Sequence, residues 1–127
     1  MTQRFTSRVR AAATAVLALV IIPGASLYHT HLKASLPAKD EVVTKAPESI
    51  CLTFSARPEL ALSDVKLFTA DSTAVRIGKV MATDDSLTIG AALPADLAPG
   101  QYTVAWRTAS KDGHVIRGRY RFSYTPK

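Results

Sequence analysis

The histidines of this chain lie in two short motifs, and their surroundings suit metal binding. His29 and His31 are separated by one residue, and Asp112 and His114 flank Gly113. The chain has three histidines in all, so none lies outside these motifs. Imidazole nitrogens and carboxylate oxygens are borderline ligands that suit Cu(II) and, less specifically, Zn(II) or Ni(II). The two motifs therefore indicate a metal-binding protein.

The second motif is predicted at the tip of a β-hairpin. Residues 101–108 alternate, with Tyr102, Val104 and Trp106 on one face, and residues 115–124 alternate in the same way. The segment 110–113 is the predicted turn, in which glycine can take a positive φ. Asp112 and His114 can converge across this turn, but two ligands are too few for tight Cu(II) binding.

The first 28 residues are predicted to be a secretory signal peptide, with cleavage between residues 26 and 28. Three arginines precede an apolar run over 11–22, and helix-breaking and small residues follow over 23–26. The apolar run is short against the roughly 20 residues of a membrane span, although an uncleaved anchor is the alternative. Residues 29–127 would then form one small exported domain.

The ligands available at His29 depend on the cleavage position. A mature chain beginning at His29 would offer its α-amino group and its imidazole together. That cut leaves Tyr28 at the position before cleavage, where signal peptidase requires a small residue. A cut after Ser26 fits better and makes Leu27 the first residue. Backbone amide nitrogens would then bind the metal together with the His29 imidazole. Both starts remain open.

Charge and cysteine content narrow the function classes. The formal charge is +6, and without the leader arginines thirteen basic residues face ten acidic ones, a net +3. Arg117, Arg119 and Arg121 recur at every second position, which favours a solvated strand face over a site for phosphate or an acidic partner. No nucleic acid is expected as a partner of an exported protein.

The single cysteine, Cys51, excludes an intrachain disulfide, so an apolar core must stabilise the fold.

The rest of the chain is predicted to be all-β. Strands are expected at 49–54, 64–69, 75–81 and 86–93, and the turn-rich segment 94–100 is expected to hold one short helical turn. Cys51 alternates away from the apolar face of the first of these strands. Short strands at this spacing, without helices, predict a Greek-key β-sandwich.

Three segments resemble the CopC family, the periplasmic copper-binding proteins of copper-resistance systems. They are the opening segment 29–38, the early strands over 43–55, and the segment 99–122, which contains Asp112-Gly113-His114. The resemblance implies an immunoglobulin-like β-sandwich or barrel that binds one Cu(II) per chain through His29, Asp112 and His114. It implies that His31 is either a neighbour or a further ligand.

The resemblance also implies a function, namely a monomeric, non-catalytic Cu(II) carrier or buffer of the periplasm. Copper itself and a membrane copper transporter of the CopD type, or other copper-resistance proteins, would be its partners. Only Met81 remains after the leader, so no methionine-rich Cu(I) site is expected. Two alternatives stay open: a histidine-brace copper oxidase or monooxygenase, and a β-sandwich interaction module that binds no metal.

Overall fold

The computed structural model describes residues 29–127, and the predicted signal peptide lies outside this range. The described part contains nine strands and one turn of 3₁₀ helix at Leu60–Leu62. The strands are β1 (Leu32–Leu36), β2 (Val42–Val43), β3 (Ser49–Phe54), β4 (Asp64–Thr69), β5 (Ala74–Val75), β6 (Met81–Ala82), β7 (Thr88–Ala92), β8 (Gly100–Ala109) and β9 (Val115–Tyr124).

The strands form two sheets that enclose one core. One sheet has the order β1-β3-β7-β6, and the other has the order β2-β9-β8-β4-β5. Neighbouring strands are antiparallel except for β2, which runs parallel to the end of β9. The all-β sandwich predicted from the alternating pattern is confirmed.

The core is built from alternate residues of both sheets, because successive side chains of a strand point to opposite faces. In β3 the buried residues are Ile50, Leu52 and Phe54, whereas Cys51 is half-buried on the outer face. Phe122 of β9 meets this group from the opposite sheet. Full burial of each large apolar side chain stabilises the fold by about 1.5–3 kcal/mol. The predicted outward position of Cys51 is confirmed.

The β8–β9 hairpin is the longest paired unit of the structure. Its register runs from Gly100 opposite Tyr124 to Ala109 opposite Val115. The predicted aromatic inner face is present, with the rings of Tyr102 and Phe122 stacked at 5.5 Å between centroids. This rigid pair of strands ends at the turn that carries Asp112 and His114.

The predicted strand over 75–81 is wrong. The chain pairs only at Ala74–Val75 with β4 and at Met81–Ala82 with β7, and these two strands belong to different sheets. The residues between them cross from one sheet to the other. Ile77 and Val80 pack against the core from this crossing segment, so both positions are apolar. This apolar pattern resembles that of a strand and explains the wrong prediction.

Two smaller predictions also differ from the structure. Segment 94–100 contains no helical turn, and the described 3₁₀ turn lies at Leu60–Leu62 instead. The predicted strand 86–93 shortens to 88–92, because the Asp85 carboxylate accepts a hydrogen bond from the Leu87 amide at 2.9 Å and holds a turn there.

Within residues 29–127 no helix has the length and apolar character needed to cross a membrane.

Candidate metal centre

The turn between β8 and β9 is held by hydrogen bonds of its own backbone. The Ser110 amide donates to the His114 carbonyl at 3.1 Å, and the Gly113 amide donates to the Ser110 carbonyl at 2.9 Å. Gly113 has a φ of 85°, which glycine adopts without steric cost. The turn therefore fixes the backbone on both sides of the motif.

The Asp112 carboxylate is fully engaged within this turn. Oδ1 accepts hydrogen bonds from the Ser110 hydroxyl and from the His114 amide, and Oδ2 lies 2.7 Å from Nδ1 of His114. The Ser110 hydroxyl, followed by the contacts with His114, holds the pKa of Asp112 well below its usual range. Asp112 is thus an anion at physiological pH, and the hydrogen bonds of the turn orient its carboxylate toward His114 in this structure.

The Asp112 carboxylate also selects the proton position on His114. An ionised carboxylate only accepts hydrogen bonds, so Nδ1 of His114 must donate. In the neutral ring the lone pair then lies on Nε2, which is the nitrogen free to bind a metal. A carboxylate in this position orients a histidine ligand. Direct binding of a metal by Oδ2 would require Asp112 to release Nδ1.

His29 lies beside His114. Their ring centroids are 6.1 Å apart and their planes are nearly perpendicular, at 86°. Metal–imidazole bonds are about 2.0–2.1 Å long, so two rings on one ion have centroids at most about 6.5 Å apart. The observed separation falls within that reach. The structure therefore brings together one histidine of each motif.

His31 is fixed in place by contacts with its neighbours. Its amide donates to the Ser55 hydroxyl at 2.9 Å, and its carbonyl accepts from the Ser55 amide at 2.9 Å. These two bonds attach the start of β1 to the end of β3. Nδ1 of its exposed ring lies 3.3 Å from the His29 carbonyl oxygen, so His31 contacts the backbone of His29.

The side chains are not yet arranged as a complete metal site. Across residues 29–127, no three His, Cys, Asp or Glu side chains converge closely enough to hold one ion. The side chains of His114 and Asp112 are 70% and 64% exposed, which leaves both free to rotate. Joint binding by His29, Asp112 and His114 requires such rotations, and the donor set of two imidazoles and one carboxylate is chemically suited to Cu(II).

Two serines that support the site were not singled out from the sequence. Ser110 orients Asp112, and a hydroxyl two residues before an aspartate in a turn is a signal that could have revealed it. Ser55 anchors His31, but this role depends on the pairing of β1 with β3, which no local sequence pattern predicts.

Fold and site together define a small β-sandwich that presents histidines and a carboxylate at one exposed hairpin tip. The chain belongs to the CopC domain family, whose model matches residues 32–125. The match includes Asp112 and His114 and begins just after His29 and His31. The family membership predicted from the sequence motifs is confirmed.

Similar proteins support the same assignment. Protein YobA of Escherichia coli K12 is 32% identical over 112 residues, covering 87% of this chain and 90% of YobA. Among solved structures, CopC from Methylosinus trichosporium OB3b is 27% identical with a TM-score of 0.71, covering 77% of this chain and 95% of that one. PcoC, a methionine-rich copper resistance protein from Escherichia coli, is 34% identical with a TM-score of 0.69, covering 76% and 99%.

Proposed function

We propose that this protein is a non-catalytic Cu(II) carrier or buffer that acts in copper resistance or copper homeostasis in the periplasm. Membership of the CopC domain family and similarity to a copper resistance protein support copper as the cargo. The location follows from the leader-like pattern of residues 1–28.

The approach of His29 to His114 is the observation that carries this proposal. The two residues are far apart in sequence, yet their rings lie within the reach of one ion. The Asp112 anion adds a negative charge beside His114, which favours a divalent cation. We assign His29, Asp112 and His114 as the ligands of one Cu(II) and His31 as a neighbour of the site.

The ligand types favour Cu(II) over Cu(I). Soft thioether and thiolate ligands select Cu(I), but Met81 is exposed on β6 and Cys51 is half-buried on the outer face of β3. The chain has two methionines in total, whereas PcoC is described as methionine-rich. A methionine-based Cu(I) site is therefore not part of this proposal.

The open position of the site fits metal exchange. The hairpin tip projects both His114 and Asp112 into solvent, so a partner can approach the bound ion directly. Enzymes, in contrast, usually enclose their reacting groups in a cavity that excludes water. We propose delivery to, or collection from, a membrane copper transporter of the CopD type or another copper-resistance protein, with the carrier acting as a monomer.

A Cu(II) titration with two histidine variants tests the assignment. The secreted protein should bind one equivalent of Cu(II), measured by its d–d absorption and by equilibrium dialysis. His114→Ala should remove this binding, whereas the matched control His31→Ala should retain one equivalent. Unchanged stoichiometry and affinity in His114→Ala, or no copper retention by the unmodified protein, would contradict the proposal.

The mass of the secreted protein determines how His29 takes part. A chain beginning at His29 offers the α-amino nitrogen and the imidazole, whereas a chain beginning at Leu27 offers backbone nitrogens and the imidazole. The electron paramagnetic resonance spectrum of the Cu(II) form distinguishes these donor sets through its nitrogen hyperfine pattern.

A further inference from the structure

One outer face of the sandwich carries a dense group of cations, which we call the arginine face. It consists of Arg107, Arg117, Arg119, Arg121 and Lys66. All five occupy outward positions on the three adjacent strands β9, β8 and β4. Arg107 pairs across the ladder with Arg117, and alternate residues of a strand lie about 7 Å apart. The face is thus a two-dimensional array of positive charge on a rigid sheet.

The charge of this face is only partly compensated, because Asp64 lies opposite Arg107 in the ladder and Asp40 lines a depression beside Arg119 and Arg121, without a salt bridge to these arginines. The only carboxylate at an outward position of the same three strands is Asp64, whose Oδ2 lies 3.8 Å from Nζ of Lys66. Within residues 29–127, none of the four arginines has a carboxylate within salt-bridge distance. Like charges directly opposite each other, as Arg107 and Arg117 are, destabilise a sheet. The arrangement therefore costs folding stability.

The opposite sheet shows that this distribution is not a general coating for solubility. The outward positions of its central strands, β3 and β7, carry only small uncharged residues: Ser49, Cys51, Thr53, Thr88, Gly90 and Ala92. A charge pattern that served solubility alone would have no reason to leave the central strands of one sheet neutral and to concentrate cations on those of the other.

We propose that the arginine face binds the surface of a lipid bilayer that contains anionic phospholipid. Arginine binds phosphate groups with two parallel hydrogen bonds, and four of the five cations are arginines. A protein partner would need an apolar anchor at the centre of the interface. Thr103 and Ala105 occupy that centre, and Phe68 is half-buried toward the side of β5. The apolar side chains of this face do not form an exposed central anchor, because Phe68 and Trp106 are partly buried in a depression and the exposed Val115 lies at the hairpin end. The exposed groups at the centre are therefore mainly the cations, which suits a layer of headgroups.

This binding would place the candidate metal centre beside the membrane. The arginine row of β9 begins three residues after His114, at Arg117, so the hairpin tip lies at one end of the face. A docked molecule would therefore hold the tip near the plane of the bilayer. The inference rests on the charge distribution alone and stands whether or not copper binds.

Vesicle sedimentation of the purified protein tests this inference. The protein should bind vesicles of phosphatidylcholine mixed with phosphatidylglycerol, should not bind vesicles of phosphatidylcholine alone, and should dissociate as salt is raised. The triple variant Arg117→Gln, Arg119→Gln, Arg121→Gln should bind at least tenfold more weakly, because each basic residue beside an anionic leaflet contributes about fivefold. The variant Lys66→Gln, Arg107→Gln on the neighbouring strands should weaken binding in the same direction.

The matched control removes three charges elsewhere. Lys45→Gln, Arg76→Gln, Lys79→Gln changes exposed residues outside the arginine face and should retain vesicle binding. Thermal melting establishes that every variant is folded. Failure of the unmodified protein to bind anionic vesicles would overturn the inference, as would an equal loss in the control. Binding to soluble polyglutamate in preference to vesicles, lost in the Arg117/Arg119/Arg121 variant, would overturn it in favour of an acidic protein partner.

Discussion

Nδ1 of His114 lies 2.7 Å from Oδ2 of Asp112, across a glycine with positive φ. This contact is made within one turn, so it does not depend on how the two sheets pack. It joins an anion to a potential metal ligand and leaves Nε2 of His114 as the outward nitrogen. Asp112 therefore influences metal binding either by ligating the ion or by orienting His114.

Asp112→Asn should weaken Cu(II) binding by about 10–100-fold, because loss of a carboxylate that ligates or orients a ligand costs that much affinity. The amide keeps the shape of the side chain but loses its charge. Competition with a chelator of known affinity measures the change. Asp71→Asn is the matched control, since the Asp71 carboxylate also accepts hydrogen bonds within a turn, from Thr69 and Thr73, but has no histidine beside it. Equal affinity in both variants would contradict a role for Asp112.

Gly118→Ala should destabilise the protein by about 1–3 kcal/mol, the usual cost of overpacking a core. A Cβ at Gly118 would lie 2.5 Å from Cζ2 of Trp106 on the neighbouring strand, and the indole packs against Phe54 at 5.3 Å between ring centroids. The ring therefore has little room to move. Urea denaturation followed by tryptophan fluorescence measures the change.

Gly90→Ala provides the control for that substitution. Gly90 lies in the centre of β7, but a Cβ there would meet its nearest neighbours at 3.6 Å, which is ordinary van der Waals contact. We expect its free energy of unfolding to stay close to that of the unmodified protein. A loss as large as that of Gly118→Ala would show that strand conformation, rather than the Trp106 contact, requires glycine.

The alternating pattern predicted local structure well where strands are long and one face is buried. The bounds 115–124 agree with β9, and 49–54 and 64–69 agree with β3 and β4. The same rule failed at 75–81, because Ile77 and Val80 are apolar to cover the core from a crossing segment. Strand β2 has only two residues and pairs in parallel with β9, so its partner could not be inferred from a hairpin.

The candidate site was only partly predictable for a related reason. The turn residues fix Asp112 and His114 locally, so the sequence alone could place them together. The approach of His29 to His114 depends on Ser55 anchoring the start of β1 and on the packing of two different sheets. Such long-range contacts leave no periodic signal in the sequence. The expectation that His29 joins Asp112 and His114 came from the family resemblance.

Thr30→Val should stabilise the protein by about 1 kcal/mol, because it removes an unsatisfied buried hydroxyl. Thr30 is buried between His29 and His31, and among residues 29–127 its Oγ1 has no hydrogen-bond partner. Thr108→Val is the matched control. The buried Thr108 hydroxyl contacts the Ser63 hydroxyl at 2.6 Å, so its removal should cost about 1 kcal/mol. If urea denaturation shows that both variants are destabilised to the same extent, the expected difference between the Thr30 and Thr108 hydroxyls is contradicted.

Tyr120→Phe should make the protein more resistant to alkaline unfolding. Tyr120 is buried against the core, and within residues 29–127 its hydroxyl makes no hydrogen bond of regular geometry. Burial raises its pKa to about 12, although the nearby Ser35 hydroxyl, outside regular hydrogen-bond geometry, acts in the opposite direction. In the unfolded chain tyrosine titrates near about pH 10. Because the folded pKa is the higher one, this residue's stability contribution is complete below pH 10 and is lost as the pH rises through 12. The variant lacks this loss, so its melting temperature should fall less between these values.

The neutral-pH behaviour of the same variant separates titration from packing. Tyr120→Phe removes a hydroxyl without a partner and should leave the melting temperature at pH 7 unchanged or slightly higher. Tyr102→Phe is the control, because the Tyr102 hydroxyl donates to the Ala98 carbonyl and its loss should lower the melting temperature at pH 7. If Tyr120→Phe lowers the melting temperature at pH 7 as much as Tyr102→Phe does, then the Tyr120 hydroxyl makes a stabilising hydrogen bond. In that case its titration alone does not account for the fall in melting temperature at alkaline pH.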